Sequence, residues 1–413
     1  MPSAGSECYE DRNGPVFIGG MERSGTSMLR AVVGSHPDIA FYEWDHKFWF
    51  HNFPARAHEW QRVPNQQLMR KMLHDIFSSN KYTGLTHKPD LSRVYDILNK
   101  SNLDAIQSYI IFAGKIFDVF MEQYRLLRNR KRWGFKSPWN EFYADIFFEL
   151  YPNCKFLHVY RNVLSVSSSM RKIGWMKTEP ISVIRHTLKW NKSIELILSN
   201  TKKYPGRYLG INYDHFVLEP EIYTRFICAF LNISYEPQML GMSGHPGWKG
   251  SNSSFETSST VISPKLAQNP VDNLSENEFG IINILTQAYT SLIKEKWPDF
   301  SMAWMEADCL NSLAKHFYSE GKVELATEVL EKAIKIDPSY EFASENLGKL
   351  CWIKNDLAGA VKCFSRVLQL NPDNRSTATN MEHVLTQSGR ISEAQRLHLK
   401  QTGQSYKQEG VFG

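Results

Sequence analysis

A glycine-rich segment near the start of the chain has the spacing of an anion-binding loop. Residues 20–27 read GMERSGTS, which is the pattern GxxxxGxS. The apolar residues 16–18 before the segment predict a strand, and the apolar spacing after it predicts a helix that ends near Gly34. In that context, consecutive backbone N–H groups and a helix N terminus form a concave site for a phosphate. The segment therefore predicts phosphate binding rather than a plain strand-to-helix turn.

The residue before the last serine of this loop indicates which phosphate ligand it suits. Loops for nucleoside triphosphates carry a lysine there, which neutralises the β- and γ-phosphates. Thr26 occupies that place here, and the positive charge comes from Arg23 inside the loop. The pattern argues against a phosphate-loop small-molecule kinase. That function stays an alternative, which ATP-dependent turnover would restore.

A second candidate anion site follows the apolar segment 155–160 (KFLHVY), which predicts a buried strand. Arg161 comes at the carboxyl end of this strand, where open α/β sheets bind their ligands. Ser169 follows after about two turns of the next predicted helix. An arginine and a serine so placed can hold one phosphate together. The two sites together predict a ligand with two separate phosphate groups.

The elements that position these residues alternate between strands and helices. Short apolar segments predict strands at 16–18, 39–41, 133–136, 155–160 and 207–212. Helical spacing predicts helices at 139–150, 163–172, 220–232 and 276–296, and a mostly helical region at 65–130. This alternation indicates an α/β fold, a phosphate-loop-type parallel sheet flanked by helices. We expect this domain to span residues 14–298.

The C-terminal part of the sequence has a different pattern, a repeat with a period of 34 residues. Residues 307–340 align with 341–374, and a third unit at 375–408 lacks the closing proline and fits an end cap. Small residues match where two helices of a hairpin approach, and prolines match where the second helix stops: Ala314 and Gly348, Pro338 and Pro372. The pattern resembles the tetratricopeptide repeat. We expect an all-α repeat domain at 307–408 that holds a protein partner.

Residues 15–43 (PVFIGGMERSGTSMLRAVVGSHPDIAFYE) resemble the start of the sulfotransferase family, particularly its protein-tyrosine-sulfotransferase-like and bacterial branches. The resemblance covers about residues 14–298. In that family the loop reads RSGTT and holds the 5′-phosphosulfate of 3′-phosphoadenosine 5′-phosphosulfate. The resemblance therefore implies that this donor is the co-substrate, bound by the following loop residues: Arg23, Ser24, Gly25, Thr26 and Ser27.

Later segments resemble the parts of the family that hold the 3′ side of the donor. Arg161 and Ser169 match the family's 3′-phosphate motif, Arg-Asp-x6-Ser, with Asn162 in place of the aspartate. The segment that begins at Asn212 resembles one that helps the same side, which implies a donor-binding role for Tyr213. A core aromatic is the other interpretation of that tyrosine.

Sulfuryl transfer needs charge neutralisation at the leaving phosphate and a base for the acceptor hydroxyl. Arg23 and Lys136 are the candidates for neutralisation, and Lys136 begins a segment that resembles the family's Lys-x-Pro. The resemblance implies Glu43 as the catalytic base. The tyrosine-sulfotransferase-like branch has two adjacent glutamates there, and Trp44 occupies the second place. The competing bases are two nearby residues, Asp45 and His46.

Composition excludes several classes of protein. The formal net charge of +5 is mild, and no nucleic-acid-binding motif accompanies it. The six cysteines show no metal-type spacing, so we expect reduced thiols and no metal site. No apolar run predicts an integral membrane segment, and the polar first residues lack a secretory core, so we expect a cytoplasmic location.

The sequence leaves the acceptor and part of the site open. Protein tyrosine, carbohydrate and small alcohol are all possible hydroxyl acceptors. The Gly-, Ser- and Asn-rich region 243–265 is either a lid over the nucleotide or a surface loop. An alternative from another class is a repeat-based interaction scaffold with a degenerate phosphate-loop domain. Such a protein would bind partners without transferring a sulfuryl group.

Overall fold

The computed structural model describes residues 14–43, 45, 48–49, 64–77, 85–177, 179–242, 262 and 271–402. Two compact units divide the chain, the first at Met1–Ile293 and the second at Lys294–Gly413. Among the described residues, no helix combines the length and the apolar character needed to cross a bilayer. The domain limits expected from the sequence stay a prediction.

The first unit contains a five-stranded sheet in which every neighbouring pair of strands is parallel. The strands are β1 (Val16–Gly19), β2 (Ile39–Phe41), β3 (Arg132–Lys136), β4 (Lys155–Tyr160) and β5 (Tyr208–Asn212), in the order β2-β3-β1-β4-β5. β1 is central, since Phe17 pairs with Phe135 on one side and with Phe156 on the other. The predicted phosphate loop, residues 20–27, leaves β1, so it leaves the middle of the sheet.

Helices connect and flank these strands. They are α1 (Thr26–Gly34), α2 (Gln66–Phe77), α3 (Leu91–Asn99), α4 (Tyr109–Leu127), α5 (Ala144–Leu150), α6 (Val163–Lys172), α7 (Pro180–Lys203), α8 (Tyr213–Leu218), α9 (Pro220–Leu231) and α10 (Glu276–Lys296). Short 3₁₀ turns occur at Leu103–Ala105, Asn140–Tyr143 and Pro237–Gly241. The predicted α/β fold class is therefore confirmed.

Aromatic side chains form much of the core around β1. Phe17 stacks on Phe147 of α5 with ring centroids 4.1 Å apart, and its edge meets Trp133 of β3 at 5.6 Å. Phe117 of α4 packs on Phe135 at 4.8 Å. Each of these side chains is at most 2% exposed, so their burial supplies a large hydrophobic contribution to stability. This packing fixes the central strand from which the loop departs.

Two features of the first unit differ from the sequence analysis. The long helix α7 was not predicted, because the face it buries carries polar side chains such as His186, Asn191 and Ser193, which hide the apolar spacing. The second is the basic run 125–132, because its dense positive charge by itself predicts a solvated helix end. Arg132 instead lies in β3, is 4% exposed, and donates a 2.7 Å hydrogen bond to the carbonyl oxygen of Leu231.

The second unit is helical, with α11 (Met302–Ser319), α12 (Val323–Ile336), α13 (Glu341–Ile353), α14 (Leu357–Leu370), α15 (Arg375–Gln387) and α16 (Ile391–Thr402). Successive helices pair as hairpins. The tight turn of each hairpin holds one residue with positive φ, and these three residues recur every 34 positions: Gly321 at 73°, Asn355 at 61° and Gly389 at 77°. Only glycine and asparagine occupy this left-handed position readily. The turns thus repeat in step with the helices.

Close packing of α13 on α14 predicts a cost for adding one methyl group at Gly348. A Cβ there would lie 2.6 Å from the ring of Phe364, so the ring must shift. We expect Gly348→Ala to lower the free energy of unfolding by about 1–3 kcal/mol in urea denaturation.

The matched control is the same substitution at Gly280 in α10, where a Cβ would meet nothing within 4 Å. We expect Gly280→Ala to stabilise the protein by about 0.5–1 kcal/mol, because alanine has the higher helix propensity. A Gly348→Ala protein that is as stable as the control would contradict the close packing of this hairpin.

Candidate functional site

The predicted phosphate loop connects β1 to α1, and glycine is required at two of its positions. Gly20 has φ of 134°, and a Cβ there would collide with the carbonyl oxygen of Val159 in β4. Gly25 has φ of 100°, and a Cβ there would collide with the ring of Tyr213. The loop is therefore pressed against the carboxyl end of β4 on one side and against Tyr213 on the other.

Arg23 joins this loop to the second candidate anion site. Its φ is 71°, a left-handed conformation that is unusual for a non-glycine residue. Its Nε donates a 3.0 Å hydrogen bond to the hydroxyl of Ser169 in α6. Nη1 of Arg161 donates to the carbonyl oxygen of Arg23 at 3.4 Å. The two predicted anion sites are thus parts of one cluster.

Two arginines at close range make this cluster strongly positive. Burial, and secondarily the charge of Arg161, lower the pKa of Arg23. Arg161 is 4% exposed and pairs through Nε with Asp214 at 3.3 Å. An anionic ligand would relieve the repulsion between the guanidinium groups, so the electrostatics favour phosphate binding.

Tyr213 lies between the loop and Arg161. The guanidinium carbon of Arg161 is 4.1 Å from the centre of the tyrosine ring. Burial raises the pKa of this phenol, which is 3% exposed. Tyr213 is therefore a buried aromatic residue that packs on Arg161 and lies against Gly25, and its role in donor binding stays a prediction.

One loop hydroxyl is suited to a ligand oxygen. Ser24 is 1% exposed, and its Oγ has no hydrogen-bond partner among the described residues. An unsatisfied buried hydroxyl costs about 1–3 kcal/mol. A phosphate oxygen in the loop is a partner that would remove this cost. The last two loop residues, Thr26 and Ser27, form the first turn of α1. Among the described residues, no side chain caps the N terminus of that helix.

Lys136 at the end of β3 reaches the same loop. Its Nζ donates a 3.1 Å hydrogen bond to the hydroxyl of Ser27 and forms a 2.7 Å ion pair with Asp45. The other oxygen of Asp45 pairs with Arg30 of α1 at 2.9 Å. Lys136 is 2% exposed while the Asp45 side chain is 28% exposed. A carboxylate thus stands beside the candidate catalytic lysine and in reach of solvent.

The structure places Glu43 in a different environment. It is 1% exposed, and its Oε2 accepts a 2.9 Å hydrogen bond from the backbone N–H of Thr86. Its Oε1 accepts one of 3.3 Å from the hydroxyl of Tyr124, whose pKa is raised by burial and then by this carboxylate. Trp44 and His46 lie outside the described residues, as does the region 243–265 apart from Ile262.

A turn that follows β3 also contacts β1 and the loop. Trp139, with φ of 71°, donates from Nε1 to the carboxylate of Glu22 at 2.7 Å. Asn140 donates from Nδ2 to the carbonyl oxygen of Ile18 at 3.0 Å. The next side chain, Glu141, accepts a 2.7 Å hydrogen bond from the backbone N–H of Gly20. Sequence reasoning missed these three residues, because only their position after Lys136 hints at a role.

A cavity of about 730 Å³ opens beside Asp45 and Trp139. It is lined by Glu22, Asp45, Pro138, Trp139, Met170, Trp175, Met176, Lys177, Glu179, Ile181, Ser182, Arg185, His186 and Lys189. Burial, and then the charge of Lys189, lower the pKa of His186 to about 4, so this imidazole is neutral at pH 7. The cavity combines apolar and aromatic walls with polar groups, as small-molecule sites do. Among the described residues, no cluster of three His, Cys, Asp or Glu side chains is placed to hold a metal.

The contact between Gly25 and Tyr213 generates a prediction on stability. Gly25→Ala adds left-handed strain and a collision with the ring, so we expect it to lower the free energy of unfolding by about 2–5 kcal/mol. Gly174 has a similar φ of 72° but open space around its Cβ position. The control Gly174→Ala should cost only about 1–2 kcal/mol in the same urea titration. Equal costs would show that Tyr213 does not press on the loop.

Comparison with known proteins bears on this site. The model of the sulfotransferase family matches residues 15–237, which is more than half of the chain and contains every candidate site residue named above. The model of the tetratricopeptide repeat matches residues 307–340 and 343–374. The resemblance to both families is therefore confirmed.

Several curated proteins are similar to part of this chain. Protein-tyrosine sulfotransferase 1 of Danio rerio is 27% identical over 54% of this chain and 55% of its own length. Protein-tyrosine sulfotransferase 2 of Gallus gallus is 27% identical over 60% of each. Protein-tyrosine sulfotransferase A of Caenorhabditis elegans is 25% identical over 63% of this chain and 61% of its own length. The match thus spans less than two thirds of each of these relatives.

Solved structures similar to this chain include a sulfotransferase from Alicyclobacillus acidocaldarius, with 16% sequence identity and a TM-score of 0.39. The similarity covers 70% of this chain and 98% of the Alicyclobacillus chain. Another is the sulfotransferase domain of the Synechococcus PCC 7002 olefin synthase, at 17% identity and a TM-score of 0.38 over 68% of this chain and 96% of that one. At these scores the likeness carries no argument about function. The family match over residues 15–237 does, and the chain belongs to the sulfotransferase family of transferase enzymes.

Proposed function

We propose that the protein transfers a sulfuryl group from 3′-phosphoadenosine 5′-phosphosulfate to a hydroxyl acceptor. The observation that carries the proposal is the hydrogen bond between Arg23 and Ser169, with Arg161 on the carbonyl oxygen of Arg23. These contacts bring the phosphate loop close to Arg161 and Ser169. A donor with phosphates at both the 5′ and the 3′ position requires two such sites close together. A triphosphate would need a lysine where Thr26 stands.

The residues present fit the two ends of this donor. Around the 5′-phosphosulfate, the loop offers its backbone N–H groups, the unpartnered hydroxyl of Ser24 and the guanidinium of Arg23. Around the 3′-phosphate, Arg161 and Ser169 offer charge-assisted and hydroxyl hydrogen bonds. Tyr213 holds Arg161 in place through the stacked contact of 4.1 Å.

The chemistry is a displacement at sulfur. The acceptor oxygen forms a bond to sulfur while the bond from sulfur to the bridging oxygen breaks, and the electron pair of that bond leaves with the 5′-phosphate. Negative charge grows on the leaving phosphate, so cations fixed beside the loop lower the barrier. Arg23 and Lys136 are the cations that meet this need, and both contact loop or helix hydroxyls in the structure.

A base must take the proton of the acceptor hydroxyl. We propose Asp45 for this role, because it lines the cavity, pairs with Lys136 and keeps more than a quarter of its side chain exposed. The expectation for Glu43 stays a prediction. Its carboxylate is 1% exposed and already accepts hydrogen bonds from Thr86 and Tyr124, which suits a structural role.

The cavity beside Asp45 is the place we propose for the acceptor. Trp139 and Trp175 among its lining residues offer surfaces on which a phenol or a sugar ring can stack. The neutral imidazole of His186 offers a hydrogen-bonding nitrogen, since its Nε2 has no partner among the described residues. These features fit a tyrosine side chain, a carbohydrate or another alcohol.

We further propose that the tetratricopeptide repeats hold a protein partner. The expected cytoplasmic location stays a prediction.

Donor binding is measured with the product nucleotide 3′-phosphoadenosine 5′-phosphate in isothermal titration calorimetry. We expect Arg161→Ala to weaken binding by about 10- to 100-fold, the value of one or two charge-assisted hydrogen bonds. The control is Arg225→Ala, which removes the same charge from an exposed pair with Glu221 on α9. It should change the affinity by less than about twofold, as expected for a distant surface charge. No binding of the nucleotide by the wild-type protein would sink the donor assignment.

Two matched variants separate the candidate bases. An acceptor is first found by screening hydroxyl compounds with a donor that carries labelled sulfate. With that acceptor we expect Asp45→Asn to lower kcat/KM by about 10²- to 10⁴-fold, because the amide cannot take a proton.

We expect Glu43→Gln to keep kcat/KM within about tenfold of the wild type, since it keeps the size of the side chain and one of its two acceptor oxygens. Nucleotide binding is measured on both variants to separate catalysis from folding. The reverse pattern, with the large loss of kcat/KM only in Glu43→Gln, would assign the base to Glu43.

A further inference from the structure

A carboxyl group beneath the nucleotide loop takes no part in the chemistry proposed above. Glu141 is 1% exposed, and its Oε2 accepts the 2.7 Å hydrogen bond from the backbone N–H of Gly20. Its Oε1 accepts a 3.2 Å hydrogen bond from the hydroxyl of Ser193 in α7. The group therefore bridges the underside of the loop and the long helix that covers the sheet.

A series of buried polar contacts continues from Ser193 into the sheet. The hydroxyl of Ser193 is 2.9 Å from Nε2 of His158 in β4, and Nδ1 of His158 is 2.5 Å from the hydroxyl of Tyr208 in β5. His158 is fully buried, and burial lowers its pKa to about 3. The imidazole is thus neutral at pH 7 and supplies no positive charge to balance a carboxylate at Glu141.

The other groups around Glu141 also leave its charge unbalanced. Burial raises its pKa to about 7, and the negative charge of Glu22 in the loop adds to this effect. The hydrogen bonds from Gly20 and Ser193 act in the opposite direction. On α7, the ammonium of Lys189 lies over the ring of Trp139, with 4.4 Å to the ring centre. Burial without a balancing cation among these groups therefore favours the neutral form of Glu141.

We propose that Glu141 is a positioning residue that couples donor binding to proton uptake: the neutral carboxyl group holds the loop for an anionic nucleotide, and the carboxylate opposes that nucleotide. The inference rests on the proposed function, because the anion concerned is the nucleotide in the loop. The physical reason is that Glu141 and the phosphate share the loop. Gly20 belongs to the loop proposed to hold the phosphate, and a negative charge hydrogen-bonded to the backbone of the same loop repels that phosphate.

The direction of the pH dependence follows from this repulsion. A bound anion raises the pKa of Glu141 further, so binding takes up protons at pH values near and above 7. Affinity is then greatest where Glu141 is neutral in the free protein, below pH 7, and it falls as pH rises above 7. One group contributes at most a tenfold change in affinity per pH unit.

The test uses the full chain and 3′-phosphoadenosine 5′-phosphate in isothermal titration calorimetry from pH 6.5 to 8.5. Glu141→Gln keeps the shape and the acceptor for Gly20 but stays neutral. Titration of the nucleotide's own phosphates is common to both proteins and cancels in the ratio of their affinities. We expect the affinity of the wild type relative to the variant to fall about five- to tenfold over this range.

Two further measurements keep the inference falsifiable if the glutamine variant does not fold. Heats measured in two buffers of different ionisation enthalpy at pH 7.5 report the protons taken up by the wild type, and we expect a substantial fraction of one proton. Ser193→Ala removes a donor to the carboxylate, so it should raise the pKa of Glu141 and move the fall in affinity to higher pH.

The outcomes separate the inference from the proposed function. Parallel pH profiles for the wild type and Glu141→Gln, or no proton uptake by the wild type, would overturn the role of Glu141 and leave the donor assignment intact. Failure of both proteins to bind the nucleotide at every pH would overturn the donor assignment and this inference together. A ratio that falls with pH, together with proton uptake, supports both.

Discussion

The predicted phosphate loop depends on contacts from elements around it. Gly20, Arg23 and Gly25 all have positive φ within six residues; glycine adopts such a conformation readily, whereas Arg23 keeps it only where the surroundings hold it. The surroundings here are the end of β4, the ring of Tyr213 and the turn that follows β3. Because β1 is the central strand, the end of β4 and the turn after β3 reach the loop from the two strands beside β1, and Tyr213 reaches it from the end of β5. The order of the sheet therefore determines the shape of the anion site.

The loop also organises the cations around it. Arg23 reaches Ser169 because its own backbone turns back at φ of 71°. Its carbonyl oxygen then faces Arg161, which completes a contact between segments 138 positions apart in the sequence. On the other side, Lys136 meets Ser27 at the first turn of α1. One strained segment thus sets the spacing of three positive side chains.

Much of the fold could be predicted from the sequence, because its signals are local. β2, β4, α6 and α10 occupy the predicted ranges, since each is a short apolar run or a regular helical pattern with clear ends. α7 could not be found in the same way, because its buried face carries histidine, asparagine and serine among its apolar residues. Ser193 meets Glu141 and His158, which lie far away in the sequence, and a local pattern contains no trace of such partners.

The candidate site shows the same division. The loop, Arg161 and Ser169 were recognisable from their order after strands, and the structure brings them together. The environments of Glu43 and Asp45 were not recognisable, because two residues in the same segment differ only in which distant side chains they meet. The contact of Glu141 with the loop could not be predicted from the sequence either, since its partner is the backbone N–H of Gly20, 121 positions away.

The left-handed turns of the repeat unit have a consequence for how such a chain can change in length. Gly321, Asn355 and Gly389 recur every 34 residues, and each sits at the same point of its hairpin. Duplication or loss of one 34-residue cassette would therefore keep every remaining turn in register. The array could therefore lengthen or shorten in evolution by whole repeats. The surface of the repeat array would then grow or shrink in fixed steps, without any change in the residues of the five-stranded sheet.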